Sequence, residues 1–214
     1  LPVGTIVKNP DLAKAYRELA AKGYKVFYEG ALARAVVDAV NRPPVAAGVQ
    51  VRPGTMTLAD VANYEARIRQ PIRSTYRGYD LYGMPPPSSG GATVAEALNI
   101  LEGFDLKAMP RANVEHLYLE ASRLAFADRN AYLADPEYVD APIEGMLSKQ
   151  FAAQRRSLIR PDRAAGIVPA GDAFLYENDK SFPLRPQQDL IMREGTHTTH
   201  LTVSDKWGNV VSYT

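Results

Sequence analysis

Apolar residues in the first two thirds of the chain recur every three or four positions, the spacing that places them on one face of a helix. The first such stretch opens with Asn9, a suitable N-cap, and Pro10, which suits the first helical position. Gly23 is placed to end the helix. The pattern therefore predicts a helix between Pro10 and Gly23, with an apolar face formed by Leu12, Tyr16 and Leu19.

Two shorter helices are predicted next. One covers residues 31–40 and stops at Pro43-Pro44, because proline cannot continue a helix. The other begins at a weak capping box of Thr57 and Asp60 and runs through Ala66.

Three further helices follow from apolar stripes. The segment M-P-P-P-S-S-G-G leads into a helix that stops at Gly103, with a stripe of Val94, Ala97, Leu98 and Leu101. The longest helix begins at Asn113 and runs to about Tyr132, with a stripe of Leu117, Ala121, Leu124 and Ala125. Ser148 caps the last one, and one side of that helix carries Phe151, Arg155, Leu158 and Ile159.

Two other segments are predicted to form strands. Residues 72–82 are rich in strand-forming types around Arg77-Gly78, which predicts a short hairpin. Near the C-terminus, Leu201 and Val203 alternate with polar residues, D-K-W-G-N turns the chain, and Val210 restarts it. Gly208 can adopt the positive φ that such a turn needs, so a second hairpin is expected.

Between residues 160 and 194 the periodicity disappears, and prolines, glycines and aspartates interrupt the chain. A stretch of this length without its own pattern is functional or mobile in most compact domains. We expect it to be the most mobile and protease-sensitive part of the chain. A plain surface loop or linker is the alternative.

Composition narrows the class of protein. The 214 residues are 46% hydrophobic and 23% charged with a net charge of +1, as in a soluble globular protein without a nucleic-acid footprint. No apolar run approaches the ~18 residues of a membrane span, and no signal peptide is visible. The absence of cysteine excludes disulfides, thiolate metal sites and cysteine nucleophiles. The chain does not begin with Met, which suggests a segment of a longer protein or a trimmed one.

Two candidate binding motifs are weak. His197 and His200 lie three apart, and on a strand such residues point to opposite faces, so a shared metal ion is disfavoured. The S-S-G-G segment could cradle a phosphate, but no G-K-[ST] follows it. We favour a structural interpretation, in which Ser88 or Ser89 caps the helix and the glycines allow close packing.

Threonines crowd the start of the second hairpin. Strand alternation places Thr196, Thr198, His200 and Thr202 on one face, which is ordinarily a solvated strand face. A threonine becomes a nucleophile when its own free α-amine serves as base, and this requires cleavage of the bond before it. Such a cleavage would need a mobile segment shortly before the threonine, and the irregular segment 160–194 is in that position.

Several motifs in order closely resemble the γ-glutamyltranspeptidase family. T-T-H-L-T-V-S-D-K-W-G-N-V-V-S-Y-T, from Thr198, is similar to the start of that family's small subunit. Y-R-G-Y-D-L-Y-G-M-P-P-P-S-S-G-G, T-L-A-D-V-A-N-Y, A-F-A-D-R-N-A-Y-L-A-D-P and G-M-L-S-K-Q-F-A resemble its large subunit. The resemblance implies a partial N-terminal nucleophile hydrolase fold, an α+β class with an α/β/β/α sandwich, largely helical here and ending in a β-hairpin.

The resemblance also implies autocatalytic cleavage between His197 and Thr198. Residues 1–197 would then end the large subunit, with 160–197 as a mobile segment before the cut, and 198–214 would begin the small subunit. Thr198 would attack γ-glutamyl amides such as glutathione and pass the acyl group to water, an amino acid or a peptide. No metal or organic cofactor is implied, and the location would be periplasmic or extracellular.

Partners implied by the resemblance include the remaining segments of both subunits. The family's carboxylate-binding arginine and oxyanion residues would lie in those segments, so residues 1–214 alone are expected to be inactive. Two alternatives remain open at this point. One is a cephalosporin- or glutaryl-acylase-like amidohydrolase of the same fold, and the other is a non-catalytic scaffold fragment.

Overall fold

A computed structural model describes residues 2–178 and 200–213 of the chain. The chain divides into two units, Leu1–Ile68 and Arg69–Thr214. The first unit contains the helices α1 (Pro10–Lys22), α2 (Lys25–Tyr28), α3 (Ala31–Asn41) and α4 (Leu58–Ala62). The second contains the strands β1 (Ile72–Tyr76), β2 (Tyr79–Gly83), β3 (Leu201–Ser204) and β4 (Val210–Tyr213) and the helices α5 (Gly90–Glu102), α6 (Arg111–Tyr132), α7 (Ile143–Leu147) and α8 (Lys149–Arg156).

Both predicted caps of α1 are confirmed. The Asn9 side chain accepts a hydrogen bond of 3.0 Å from the Leu12 amide, and Gly23 ends the helix with φ of +74°. The predicted apolar face, however, is not buried among the described residues, since Leu12 is 44% and Tyr16 62% exposed. The capping residues therefore fix where this helix begins and ends, and burial of its apolar face among the described residues does not.

The capping box of α4 is present, but the helix is shorter than predicted. The Thr57 amide donates to the Asp60 carboxylate at 2.7 Å, and the Asp60 amide donates to the Thr57 hydroxyl at 3.3 Å. The hydrogen bonds that the Asp60 carboxylate accepts from the Thr57 amide and from the Thr57 hydroxyl lower the pKa of Asp60. The helix ends at Ala62 rather than Ala66, because the chain turns at Asn63, and the Tyr64 ring then stacks on Tyr28 at 6.1 Å.

The core of the second unit lies where α5, α6 and α8 meet. The stripe predicted for α6 is confirmed, since all four of its residues are buried. The helix starts at Arg111, two residues earlier than predicted. The main apolar cluster consists of Ile100, Leu101, Leu117, Ala121, Leu124 and Ala152.

The predicted stripes of α5 and α8 are partly wrong. In α5 the buried face carries Ala92, Ala95, Glu96, Asn99 and Ile100, while Val94 is 59% exposed. Val94 and Leu98 instead line a cleft of about 270 Å³ beside the first hairpin. In α8 the Ser148 cap, Phe151 and Arg155 are as predicted, but the helix ends at Arg156 and leaves Leu158 exposed.

The first hairpin pairs β1 with β2 in antiparallel register, with Tyr76 opposite Tyr79. Both turn residues have positive φ, +49° at Arg77 and +85° at Gly78, as in the two-residue turns that match strand twist. The Arg77 amide donates to the Glu102 carboxylate of α5 at 2.6 Å. The turn predicted at Arg77-Gly78 is therefore confirmed, and it is tied to the end of α5.

Close backbone packing explains one of the two glycines of the S-S-G-G segment, Gly91. A Cβ at Gly91 would lie 2.9 Å from the Met84 amide nitrogen and 3.0 Å from the Gly83 carbonyl carbon, and closer still to the Met84 oxygen. Ser89 occupies the N-cap position of α5, but its side chain makes no capping hydrogen bond, so that part of the prediction is wrong.

Gly91→Ala is expected to destabilise the protein by about 1–3 kcal/mol, because the new methyl group meets backbone that cannot swing aside. Gly90→Ala is the matched control, since a Cβ there meets nothing within 4 Å. It should be neutral, or stabilising by about 0.5–1 kcal/mol, because alanine favours the helix. Urea denaturation of both variants measures the difference, and equal midpoints would refute the packing explanation.

Candidate functional site

The predicted cleavage pair, His197 and Thr198, lies outside the described residues. The structure instead describes the chain on both sides of it. On the C-terminal side the description resumes at His200 and continues into the second hairpin. On the N-terminal side it covers residues 160–178, the first half of the irregular segment.

The second hairpin is confirmed, and its two faces differ in character. Strands β3 and β4 pair antiparallel with Thr202 opposite Ser212. The His200 ring lies on their polar face, with Nε2 at 3.2 Å from the Thr202 hydroxyl and 3.3 Å from the Ser212 hydroxyl. The opposite face carries exposed apolar side chains, namely Leu201, Val203, Val211 and Tyr213.

One carboxylate organises the turn of this hairpin. Asp205 accepts hydrogen bonds from the backbone amides of Trp207 and Asn209 at 2.9 and 3.0 Å and from the Asn209 side chain at 2.8 Å. The bond from the Asn209 side chain is the main reason that the pKa of Asp205 is lowered. Gly208 has φ of +87°, as predicted for the D-K-W-G-N turn.

Residues 160–178 are held against the helices of the second unit. The Ala165 amide donates to Glu120 of α6 at 3.0 Å, and Arg123 donates to the Gly166 carbonyl at 3.1 Å. A short 3-10 turn, Ala173–Tyr176, then packs on α7. The Gly145 amide donates to Glu177 at 2.8 Å. This half of the segment is therefore fixed by specific contacts, and the mobility of the segment as a whole stays a prediction.

Two further contacts of this segment are made by a buried ion pair that the sequence pattern does not predict. Arg155 of α8 lies 2.8 Å from the Asp128 carboxylate of α6, with side chains 2% and 0% exposed. Asp128 also accepts from the Gly171 amide at 2.6 Å, and Arg155 donates to the Pro169 carbonyl at 2.9 Å. Glu96 of α5 is fully buried beside them.

A sequence signal for this cluster exists in retrospect. Asp128 continues the apolar stripe of α6 by one turn after Leu124, and Arg155 lies one turn after the buried Phe151. A charged residue at a position where the helical period expects an apolar one is buried only when a partner is available. The pattern therefore indicates pairing, although it does not say between which helices.

The structure supplies no metal site in the part of the chain that it describes. No group of three or more His, Asp or Glu side chains there could hold an ion. In the acidic stretch after α6, Asp135 and Glu137 instead pair with Arg69 at 3.3 and 3.0 Å. Within the described ranges, no helix combines the length and apolar character of a membrane span.

Comparison with known proteins gives one consistent result. The family model described as gamma-glutamyltranspeptidase matches residues 1–214. A glutathione hydrolase proenzyme of Bacillus subtilis subsp. natto is 37% identical over 100% of this chain and 35% of its own length. An acylase ACY 1 proenzyme of Pseudomonas sp. (strain V22) is 38% identical over 100% of this chain and 34% of its own.

Among solved structures, the gamma-glutamyltranspeptidase from Pseudomonas nitroreducens complexed with L-DON superposes with a TM-score of 0.64 at 30% identity. The match covers 78% of this chain and 49% of that one. The predicted fold class is confirmed by this likeness, since the chain carries part of an N-terminal nucleophile hydrolase fold. The chain spans about 35% of the length of the curated relatives it matches.

Proposed function

Because this chain belongs to the γ-glutamyltranspeptidase family, we propose that the full-length protein transfers γ-glutamyl groups from amides such as glutathione to water, amino acids or peptides. The observation that carries the proposal is the sequence T-T-H, from Thr198, directly before the β-hairpin that the sequence predicts. Its relatives are named proenzymes, which agrees with maturation by cleavage.

In the proposed maturation, the Thr198 hydroxyl attacks the His197 carbonyl and the peptide bond becomes an ester. Water hydrolyses that ester, which leaves a large subunit that ends at His197 and a small subunit that begins at Thr198. The new α-amine of Thr198 is free to act as a base for its own hydroxyl. Thr199 would keep an amide nitrogen, which is not basic, so it cannot take this role.

In the proposed turnover, the Thr198 oxygen attacks the γ-glutamyl carbonyl while the α-amine accepts the hydroxyl proton. That proton passes to the departing amine, and a γ-glutamyl ester remains on the threonine. Water or an acceptor amine then attacks the ester and restores the hydroxyl. Donors that stabilise the oxyanion would each contribute on the order of 10²–10³ in rate, and we assign them to the remaining segments of both subunits. A periplasmic or extracellular location is part of the proposal.

The alternative supported by an observation is an acylase, because the Pseudomonas acylase is as similar to the chain as the glutathione hydrolase. Two matched substrates separate the two functions, γ-glutamyl-p-nitroanilide and glutaryl-p-nitroanilide, which differ only in the α-amino group. We expect the full-length protein to prefer the γ-glutamyl substrate in kcat/KM by about two orders of magnitude or more, because a site built for an ammonium group discriminates strongly against its absence.

A preference for the glutaryl substrate would replace the proposed transpeptidase by the acylase. Failure to release nitroaniline from either substrate, by a protein shown to be folded, would favour the non-catalytic scaffold.

A further inference from the structure

The buried cluster in the second unit contains more acidic than basic side chains. Two carboxyl groups, Glu96 of α5 and Asp128 of α6, lie beside one guanidinium, Arg155 of α8. Glu96 and Asp128 are 0% exposed and Arg155 is 2% exposed. An ionised carboxylate without its own partner is very costly in such a place, and the usual outcome is that the group becomes neutral.

The hydrogen bonds show which carboxyl group lacks a partner. One Asp128 oxygen accepts from the Gly171 amide at 2.6 Å, and the other lies 2.8 Å from Arg155 Nε in an ion pair whose geometry is not that of a hydrogen bond. Both oxygens of Glu96, in contrast, are buried without an N–H or hydroxyl donor. Two ionised carboxylates are acceptors only and cannot bond to each other, whereas a protonated one can donate to its neighbour.

The charged groups on the surrounding elements are engaged elsewhere. At the C-terminal end of α5, Glu102 pairs with Lys149 at 2.7 Å. The hairpin contributes Arg73 and Asp80, which pair with each other at 2.9 Å, and Glu144 of α7 accepts from Asn178 at 2.8 Å. Asp128 and Asp172 both act on Tyr132 of α6, and neither Tyr132 nor Asp172 brings positive charge.

We propose that Glu96 is a carboxylic acid in the folded protein and donates its proton to Asp128, forming an acid–carboxylate pair that clamps residues 169–171 to the helical core. The clamp is direct, because the same two partners, Asp128 and Arg155, hold the backbone at Gly171 and Pro169. Burial, followed by the hydrogen bond and charge of Asp128, raises the pKa of Glu96 well above its ordinary value. Burial also raises the pKa of Asp128, and the opposing effects of Glu96, Arg155 and the Gly171 amide offset only part of that rise.

The clamp should weaken as the pH rises. When folding raises the pKa of a group, its whole contribution to stability is present at pH values below the pKa of the unfolded state. For this carboxyl that pKa is near 4.5. That stability is lost as the pH rises toward the folded pKa. Over this window the unfolding constant of the native protein should grow by about tenfold per pH unit relative to Glu96→Gln, whose amide donates to Asp128 without titrating.

Infrared spectroscopy of the full-length protein at neutral pH tests the assignment directly. A buried carboxylic acid has a carbonyl band at higher frequency than carboxylates and amides. We expect this band in the native protein, its loss in Glu96→Gln, and its retention in Glu102→Gln, the matched change on the same helix. A native protein without a band that titrates, or a band that survives in Glu96→Gln, would overturn the proposal.

Hydrogen exchange at the Gly171 amide tests the clamp and needs no variant that could fail to fold. Relative to its intrinsic rate, this amide should be protected while Glu96 holds its proton and lose protection as the infrared band titrates away. Glu96→Gln, where it folds, should keep the protection at alkaline pH. Protection that stays constant in the native protein while the band disappears would show that the pair does not hold this segment.

Discussion

Thr198→Ala in the full-length protein is expected to abolish both self-cleavage and turnover of γ-glutamyl-p-nitroanilide. Loss of the nucleophile of a covalent mechanism lowers kcat by on the order of 10⁴–10⁶. Thr198→Ser should retain part of both activities, because a hydroxyl and, after cleavage, a free α-amine remain. Subunit separation on a denaturing gel and release of nitroaniline measure the two effects.

Thr199→Ala is the control for that experiment, since it changes the adjacent threonine and removes no nucleophile. Strand alternation also predicts that Thr199 faces away from Thr198. It should mature and keep measurable activity. An uncleaved and inactive Thr199→Ala, beside a Thr198→Ala protein that matures normally, would move the nucleophile one residue along the chain.

Arg155→Met should destabilise the protein by about 3–5 kcal/mol, because it leaves the Asp128 carboxylate buried without its counter-charge. Methionine keeps much of the volume of the arginine stem, so the effect reports mainly the charge and the hydrogen bond to Pro169. The substitution also removes the cation–π contact between this guanidinium and the Phe151 ring, whose centre lies 5.9 Å away.

The control for Arg155→Met is a substitution in an exposed arginine–glutamate ion pair on α6. Arg111 lies 2.6 Å from Glu115, with side chains 91% and 58% exposed. Arg111→Met should change stability by about 0.5 kcal/mol or less, because solvent screens such pairs. Urea denaturation gives both values, and an Arg155→Met protein as stable as Arg111→Met would show that the buried pair contributes no net stability.

Elements with local signals could be predicted from the sequence. Asn9 and Gly23 bound α1 because cap chemistry is contained within a few residues, and Gly208 marks its turn for the same reason. The sequence predicts the start of α6 two residues too late, because Pro110 at the N-cap position has no side chain that could form a capping hydrogen bond.

Features that depend on distant residues could not be predicted. The stripe proposed for α5 favoured large apolar residues such as Val94, whereas the helix buries Ala92, Glu96 and Asn99. Small side chains allow a close approach, and the buried polar ones find partners that are far away in sequence: Asn99 donates to the Leu147 carbonyl at 2.9 Å. Only tertiary structure shows that these partners are present.

The candidate site contains both kinds of feature: its nucleophile and hairpin could be predicted, whereas the anchoring of the segment before it could not. Motif resemblance predicts Thr198 as the nucleophile, and the described residues confirm the hairpin that follows it. The anchoring of residues 160–178 was not expected, because that segment has no periodicity and its contacts come from α6, α7 and α8.

The N-terminal sequence of the small subunit, taken from the purified and matured full-length protein, tests the proposed function most directly. We predict that it reads T-T-H-L-T from Thr198. A small subunit that starts at any other residue, or full γ-glutamyl transfer by a chain that is still continuous from His197 to Thr198, would contradict it.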